Sequence, residues 1–216
     1  MFICFEAPDK CGKSTLSVEF QKMLNIEFYN GKGGVTLDSN LGPFVWTKEP
    51  SFTSEEADRL NSIKNLENQY KRELLFFESR IGHQDFLKKH NIVCDRYTWS
   101  GMVYAKVFSP GCYEFVRQLY RSKKLFIQPD LYVYVNAGID VCLERDPTLD
   151  RDTMIELWKA YELVYDDVEE IGIPIITINN EDRSSNKEES IKLVLEELMT
   201  RFKGHLKLVT KRLYDS

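Results

Sequence analysis

The sequence predicts a three-layer α/β fold, a five-stranded parallel sheet with helices on both faces, and three observations lead there. Short apolar runs recur at Met1–Phe5, Pro43–Thr47, Ile92–Cys94, Leu131–Val135 and Ile175–Ile178. Each is continuous rather than alternating, as in strands buried on both faces. Long helical patterns separate them, and such crossovers bring successive strands into parallel pairing. A polar motif then follows each run: Asp9 to Ser14, Lys48-Glu49-Pro50, Asp95-Arg96-Tyr97, Asn136 and Asn179-Asn180. In open parallel sheets ligands sit beyond the carboxyl ends of the strands, so these motifs are expected to share one edge.

The first strand leads straight into Phe5-Glu6-Ala7-Pro8-Asp9-Lys10-Cys11-Gly12-Lys13-Ser14-Thr15, the spacing A-x-x-x-x-G-K-S of a phosphate loop that opens a helix. A triphosphate needs converging N–H donors, and a glycine-containing loop at a helix N-terminus supplies them with the positive end of the helix dipole. Lys10, Cys11, Gly12, Lys13, Ser14 and Thr15 are therefore the expected triphosphate cradle, with Lys13 reaching the β- and γ-phosphates and Ser14 on a magnesium ion. Ala7 stands where such loops usually carry a first glycine, and its small side chain still suits the strand exit. This motif specifies a P-loop NTPase fold.

The next elements follow in order. Asn30 to Gly42, with four glycines, reads as a loop before the second strand. Thr53-x-x-Glu56 and Thr153-x-x-Glu156 are capping-box spacings, with Asn186-x-x-Glu189 a weaker analogue. Leu157, Tyr161, Val164, Val168 and Ile171 form one core-facing helical stripe, and Ile191, Leu195, Leu198 and Phe202 another. Gly204 interrupts the last helix ahead of a basic tail, about 203–216, containing Lys203, Lys207, Lys211 and Arg212. No internal repeat or linker divides the chain, so one domain over 1–216 is expected.

Composition narrows the function classes. The 216 residues suffice for a sizeable core, and 43% hydrophobic with 29% charged residues is ordinary for a globular enzyme. A formal net charge of −5 gives no basic face for nucleic acid. Apolar runs fall short of a membrane span, and the N-terminus lacks a basic signal region, so neither membrane nor secretion is expected. Five scattered cysteines without C-x-x-C spacing point to reduced thiols in an intracellular, cytoplasmic setting. Cys11, at a helix N-terminus, is expected to have a lowered pKa; it is either a redox-sensitive thiol or a small residue that fits the loop. His83, His90 and His205 form no triad or metal-ligand pattern.

A phosphate loop alone does not separate switches, motors and kinases. Within Leu74-Leu75-Phe76-Phe77-Glu78-Ser79-Arg80, phenylalanine and arginine four apart share a helix face, suited to stacking on a base and bonding its edge. Leu74, Leu75 and Phe77 are expected mostly in the core, and Phe76 either joins them or meets the base. Asp95-Arg96 offers a carboxylate near the metal and a guanidinium for a second phosphate. Two phosphate grips imply two nucleotides.

FEAPDKCGKST, TKEP, LLFFESR, DRYTWSGMVYA and QPDLYVYVNAG together resemble the thymidylate kinase family in order and approximate spacing, from about Met1 to Ile178. The resemblance implies magnesium-dependent transfer of the γ-phosphoryl group of ATP to dTMP, giving dTDP for dTTP synthesis, by a homodimer packed through helices. It implies that Asp9 lies near the acceptor sugar and phosphate, and that Lys10 neutralises the migrating phosphoryl group. Phe76 would stack on thymine, Arg80 would bond its carbonyl edge, and Ser100 and Tyr104 would line the same pocket. Arg96 would hold the acceptor phosphate and Asp95 would orient magnesium or its waters. Lys48 stands where the family commonly has arginine, offering charge without the planar fork. In a short lid, about 145–152, Arg145 would pack on adenine and Arg151 would act on the transferred group, although Asp152 and Thr153 replace the usual residues after it. Asp9 could instead cap a helix, Lys10 could be a solvated lysine, Asp95 and Arg96 could pair together, Tyr104 could be core, and the lid arginines could be solvated helix ends. Two other readings stay open: a related kinase for another nucleoside or monophosphate, and an inactive nucleotide-binding protein.

Overall fold

In the computed structural model, described for residues 1–25, 35–37, 42–51, 58, 69–180, 187–201 and 206–208, five parallel strands form the central sheet. They are β1 (Phe2–Glu6), β3 (Phe44–Lys48), β4 (Asn91–Asp95), β5 (Leu131–Asn136) and β6 (Ile175–Asn179), in the spatial order β3-β4-β1-β5-β6. Every run expected to be a strand is one, with no end moved by more than a residue. The register sets Lys48 level with Asp95, Phe5 level with Asp95, and Asn136 level with Asn179. The polar motifs therefore leave the sheet along one edge.

The helices are α1 (Lys13–Leu24), α2 (Gln69–Lys89), α3 (Thr98–Phe108), α4 (Tyr113–Tyr120), α5 (Ile139–Arg145), α6 (Arg151–Glu170) and α7 (Lys187–Arg201). Helix α1 packs on β1, β3 and β4 and meets α7, whereas α3 packs against α4 and α6. Continuous apolar strands bury fully: Ile3, Cys4, Ile92, Val93, Leu131 and Val133 have no exposed surface. In α6 the stripe Leu157, Tyr161, Val164 and Val168 is buried, and in α7 Ile191, Leu195 and Leu198 are buried. No helix among the described residues is long and apolar enough to cross a membrane.

Three expectations need correction. The stretch read as loop between Asn30 and Gly42 contains strand β2 (Val35–Leu37), which pairs antiparallel with β7 (Leu206–Leu208) from the basic tail. Three-residue strands carry too little periodicity to register in a sequence. Helix α6 is capped by Asp150, whose carboxylate accepts from Thr153 N at 2.8 Å, so Thr153 lies in the first turn rather than at the cap. Asp and Thr both cap well, and the chain uses the earlier one. Leu74 is 45% exposed while Leu75 is buried, because only one face of α2 meets the core. The capping sequences at Thr53 and Asn186, and Phe202, Gly204 and His205, lie outside the described residues.

Candidate active site

Gly12 stands at the N-cap of α1 with φ +86°, in the left-handed region that favours glycine, and a Cβ there would lie 2.5 Å from Asn180 Nδ2. Among the described residues no side chain caps this helix. Its first-turn N–H groups are thus open to a ligand, and the alternative in which Asp9 caps the helix does not form, because its carboxylate is engaged with Arg96 and Tyr104. Asn180, just past β6, braces the loop by donating Nδ2–H to the Cys11 carbonyl at 2.8 Å. Arg145, ending α5, donates to the Lys10 carbonyl at 2.9 Å and to the Asn180 carbonyl at 3.3 Å. A cavity of about 350 Å³ opens above, lined by Pro8 to Thr15 with Lys48, Arg96 and Arg145.

Lys13 at the start of α1 and Asp95 at the end of β4, both buried, form an ion pair. Burial, then the nearby Arg96, push the Lys13 ammonium below its ordinary pKa against the pull of Asp95. Burial alone would raise the Asp95 carboxyl, yet the Lys13 charge beside it holds it below the usual value. Asp95 and Arg96 do not pair with each other. Arg96, at φ +71°, instead turns its guanidinium to Asp9, with NH2 2.6 Å from Oδ1. Its other arm donates to the hydroxyls of Ser100 and Tyr161, each at 3.2 Å, while Tyr104 lies 5.1 Å below the guanidinium and donates its hydroxyl to Asp9 Oδ2 at 2.6 Å.

A second cavity, about 400 Å³, lies beyond this cluster and is lined by the ends of β3, α2 and α3. Phe76 and Arg80 share its α2 wall, Ser100, Gly101 and Tyr104 come from α3, and Lys48 and Glu49 end β3. Phe76 is half-buried and faces this cavity, while Arg80 is buried with NH1 2.7 Å from the Tyr120 hydroxyl. Asp9, Lys48 and Arg96 line both cavities. A donor phosphate in the first and an acceptor phosphate in the second would meet at those three residues.

Comparison with known proteins gives the family. A family model described as thymidylate kinase matches residues 35–191. The thymidylate kinase of Malacoplasma penetrans is 35% identical over 161 residues, 70% of this chain and 69% of that one. The chain belongs to the thymidylate kinase family. It is a nucleoside monophosphate kinase, and this membership supports phosphorylation of dTMP and favours neither a related kinase for another acceptor nor an inactive nucleotide-binding protein. A probable thymidylate kinase of Methanocaldococcus jannaschii is 28% identical over 199 residues, covering 82% of this chain and 94% of that protein. Solved thymidylate kinases from Ehrlichia chaffeensis (TM-score 0.62, 19% identity, covering 92% of this chain and 98% of that one) and Candida albicans (TM-score 0.65, 17% identity, 99% and 95%) share the fold. The phosphate loop precedes the stretch matched by the family model, so its role rests on its own residues.

Two sequence expectations fare differently. Arg151 is not brought to the site of this kinase: as the first residue of α6 it is 58% exposed and pairs with Asp140 at 2.7 Å. Cys11 does not have a lowered pKa. Its thiol is buried with Sγ 3.5 Å from Cys142 Sγ, and the contact with Cys142, then burial, push it up despite the helix terminus. Lys10 is half exposed and pairs with Asp146 of the lid at 2.9 Å.

Glu6 is the functional residue that sequence reasoning missed. Buried at the end of β1, it accepts from the backbone N–H groups of Tyr97 (2.7 Å) and Ser100 (3.2 Å) and from the Ser100 hydroxyl. It thereby anchors the start of α3, and with it Arg96 and Tyr104. Burial raises its carboxyl above the usual value. Its one visible signal was a charge inside an apolar strand, where an unpaired carboxylate would be costly.

Proposed function

We propose that the chain transfers the γ-phosphoryl group of ATP to dTMP, with the triphosphate on Lys10 to Thr15 and dTMP in the cavity of Phe76 and Arg80. The observation that carries this reading is the pair of cavities sharing Asp9, Lys48 and Arg96. Arg96, fixed by Asp9, Ser100 and Tyr161, holds the acceptor phosphate in line, and Lys48 adds a second positive charge there. Ser100 acts through Arg96 because its hydroxyl is already engaged with Glu6. Phe76 stacks on the pyrimidine and Arg80 donates to its carbonyl edge. Tyr104 closes the pocket beside Asp9.

Acceptor phosphate is ionised near neutral pH, so the chain needs no strong general base, and positioning with electrostatics carries the reaction. Lys13 leaves Asp95 for the β- and γ-phosphates, and Lys10 leaves Asp146 for the migrating group, where a cation favours the spread charge of the transition state. Arg145 sits against the loop where an adenine ring can pack on it. Magnesium fits the residues present: Asp95 Oδ2 is buried without a hydrogen-bond partner among the described residues, and Ser14 lies beside Asp95 in the first turn of α1. When bound it would neutralise the β- and γ-oxygens, held by Ser14 and by Asp95 or its waters.

The homodimer is part of the same reading. Leu74 on α2 and Phe115 on α4 are 45% and 47% exposed and flank one apolar groove, which supports packing through helices. ADP release from ATP and magnesium tests the whole, with dTMP run beside dUMP, dCMP, dGMP, AMP, thymidine and no acceptor. Stimulation greatest with dTMP is expected. Greatest stimulation by another acceptor would overturn the roles of Phe76 and Arg80.

A further inference from the structure

Arg80 is held by a residue outside the cavity lining. Tyr120, the last residue of α4, is 1% exposed. Its hydroxyl accepts from Arg80 NH1 at 2.7 Å, and its ring lies under the guanidinium with 5.1 Å between Cζ and ring centroid. Phe76 flanks the same guanidinium at 6.0 Å. Phe126 and Phe77 box the Tyr120 ring, with centroids at 5.1 and 6.4 Å. Helix α4 is itself tied to α6, because Arg117 Nε and Arg121 NH1 donate to Asp167 at 2.7 and 2.5 Å. From the other side, a Cβ on Gly101 would stand 2.5 Å from Tyr120 Cε2 and 2.9 Å from Cζ. The cavity wall must therefore be glycine at that point for the tyrosine to keep its place.

Chemistry explains why a tyrosine suits the task. Burial pushes its hydroxyl above the ordinary pKa, so it stays neutral at the working pH of an enzyme. A neutral acceptor orients the guanidinium without cancelling its charge, whereas a carboxylate would take up both the charge and the fork. With one arm and the plane fixed beforehand, less freedom is lost when the fork meets a base.

We propose that Tyr120 is a positioning residue for the acceptor base, fixing the Arg80 fork against a pyrimidine carbonyl edge, and that Gly101 admits its ring. The proposal rests on the reading of Arg80 as an acceptor contact. Its consequence is selectivity: a fixed donor bonds the 4-carbonyl of thymine, which accepts, and is left facing another donor in the 4-amino group of cytosine.

Tyr120→Phe keeps the ring and removes the hydroxyl. The expected result is a dTMP KM raised by about tenfold, with kcat and the ATP KM within about twofold, and a lower dTMP-to-dCMP preference. Arg80→Ala and the double variant complete the cycle, with thermal unfolding as a check on folding. If Tyr120 works through Arg80, adding Tyr120→Phe to Arg80→Ala changes the dTMP KM by less than about twofold. Full additivity would overturn the proposal, as would an unchanged dTMP KM in Tyr120→Phe while Arg80→Ala raises it. An unchanged dTMP KM in Arg80→Ala would instead defeat the reading of Arg80, and this proposal with it. Should Tyr120→Phe fail to fold, Gly101→Ala tests the same contact, and retention of the dTMP-to-dCMP preference there would overturn the proposal.

Discussion

The two cavities are built in opposite ways. The proposed donor cavity draws most of its lining from the consecutive stretch Pro8 to Thr15, which runs into the start of α1. The acceptor cavity draws on the phosphate loop, the end of β3, α2 and α3, and works through side chains. Its central contacts span the chain: Arg96 and Tyr104 reach Asp9 from 87 and 95 residues away. On the proposed reading, a general nucleotide grip needs one loop, while selection of a particular acceptor needs the whole fold to converge.

That contrast breaks if the cavities cannot be damaged separately. Lys13→Ala is the severest test: turnover should fall by roughly 10³-fold or more, because the cation at the transferred phosphates is lost. Calorimetric dTMP binding should stay within about twofold, and its disappearance would show that the donor loop also forms the acceptor pocket. Phe76→Ala is the converse. Stacking on a base is worth about 1–3 kcal/mol, so the dTMP KM should rise by about 5- to 150-fold with the ATP KM unmoved. A rise in both would place Phe76 in the core rather than against the base.

A milder change sharpens the comparison where the cavities meet. Lys48→Arg supplies a planar fork and should lower the dTMP KM by about two- to fivefold, measured by initial rates. No gain would mean that charge alone suffices at that position. The smallest effect concerns the lid. The Thr148 hydroxyl, then Lys10, hold the Asp146 carboxyl down to about 2 from its ordinary 3.8. Its contribution to the folded state is thus complete above 3.8 and lost as pH falls through about 2. A carboxyl carbon NMR titration should give that midpoint, with no change in the lid between about pH 5 and 8. A midpoint at the ordinary value would show that the contacts to Thr148 and Lys10 do not persist in solution.

The same contrast explains what the sequence made legible. The five central strands could be read because burial on both faces leaves continuous apolar runs, and the phosphate loop because its spacing is dictated by a ligand. Phe76 and Arg80 were legible as a pair through helical spacing. Their partner Tyr120 was not, since the contact depends on a packing of α4 against α3 that only a missing Cβ at Gly101 permits. Glu6 was hidden because one charge in an apolar strand reveals nothing of the N–H groups it receives. Arg151 illustrates the reverse: an arginine matching the lid pattern was legible, but at the start of α6 it finds Asp140 and stays outside the site. Strands β2 and β7 went unread because each is three residues long and its partner lies far along the chain.

The central claim is that two nucleotides meet phosphate to phosphate at Asp9, Lys48 and Arg96. Its most direct test is calorimetric titration with adenosine and thymidine joined 5′ to 5′ through a polyphosphate chain, followed by competition with ATP and with dTMP. One molecule bound per chain, displacing both nucleotides, is the expected result. Displacement of only one nucleotide, or binding no tighter than that of ATP alone, would contradict the shared floor.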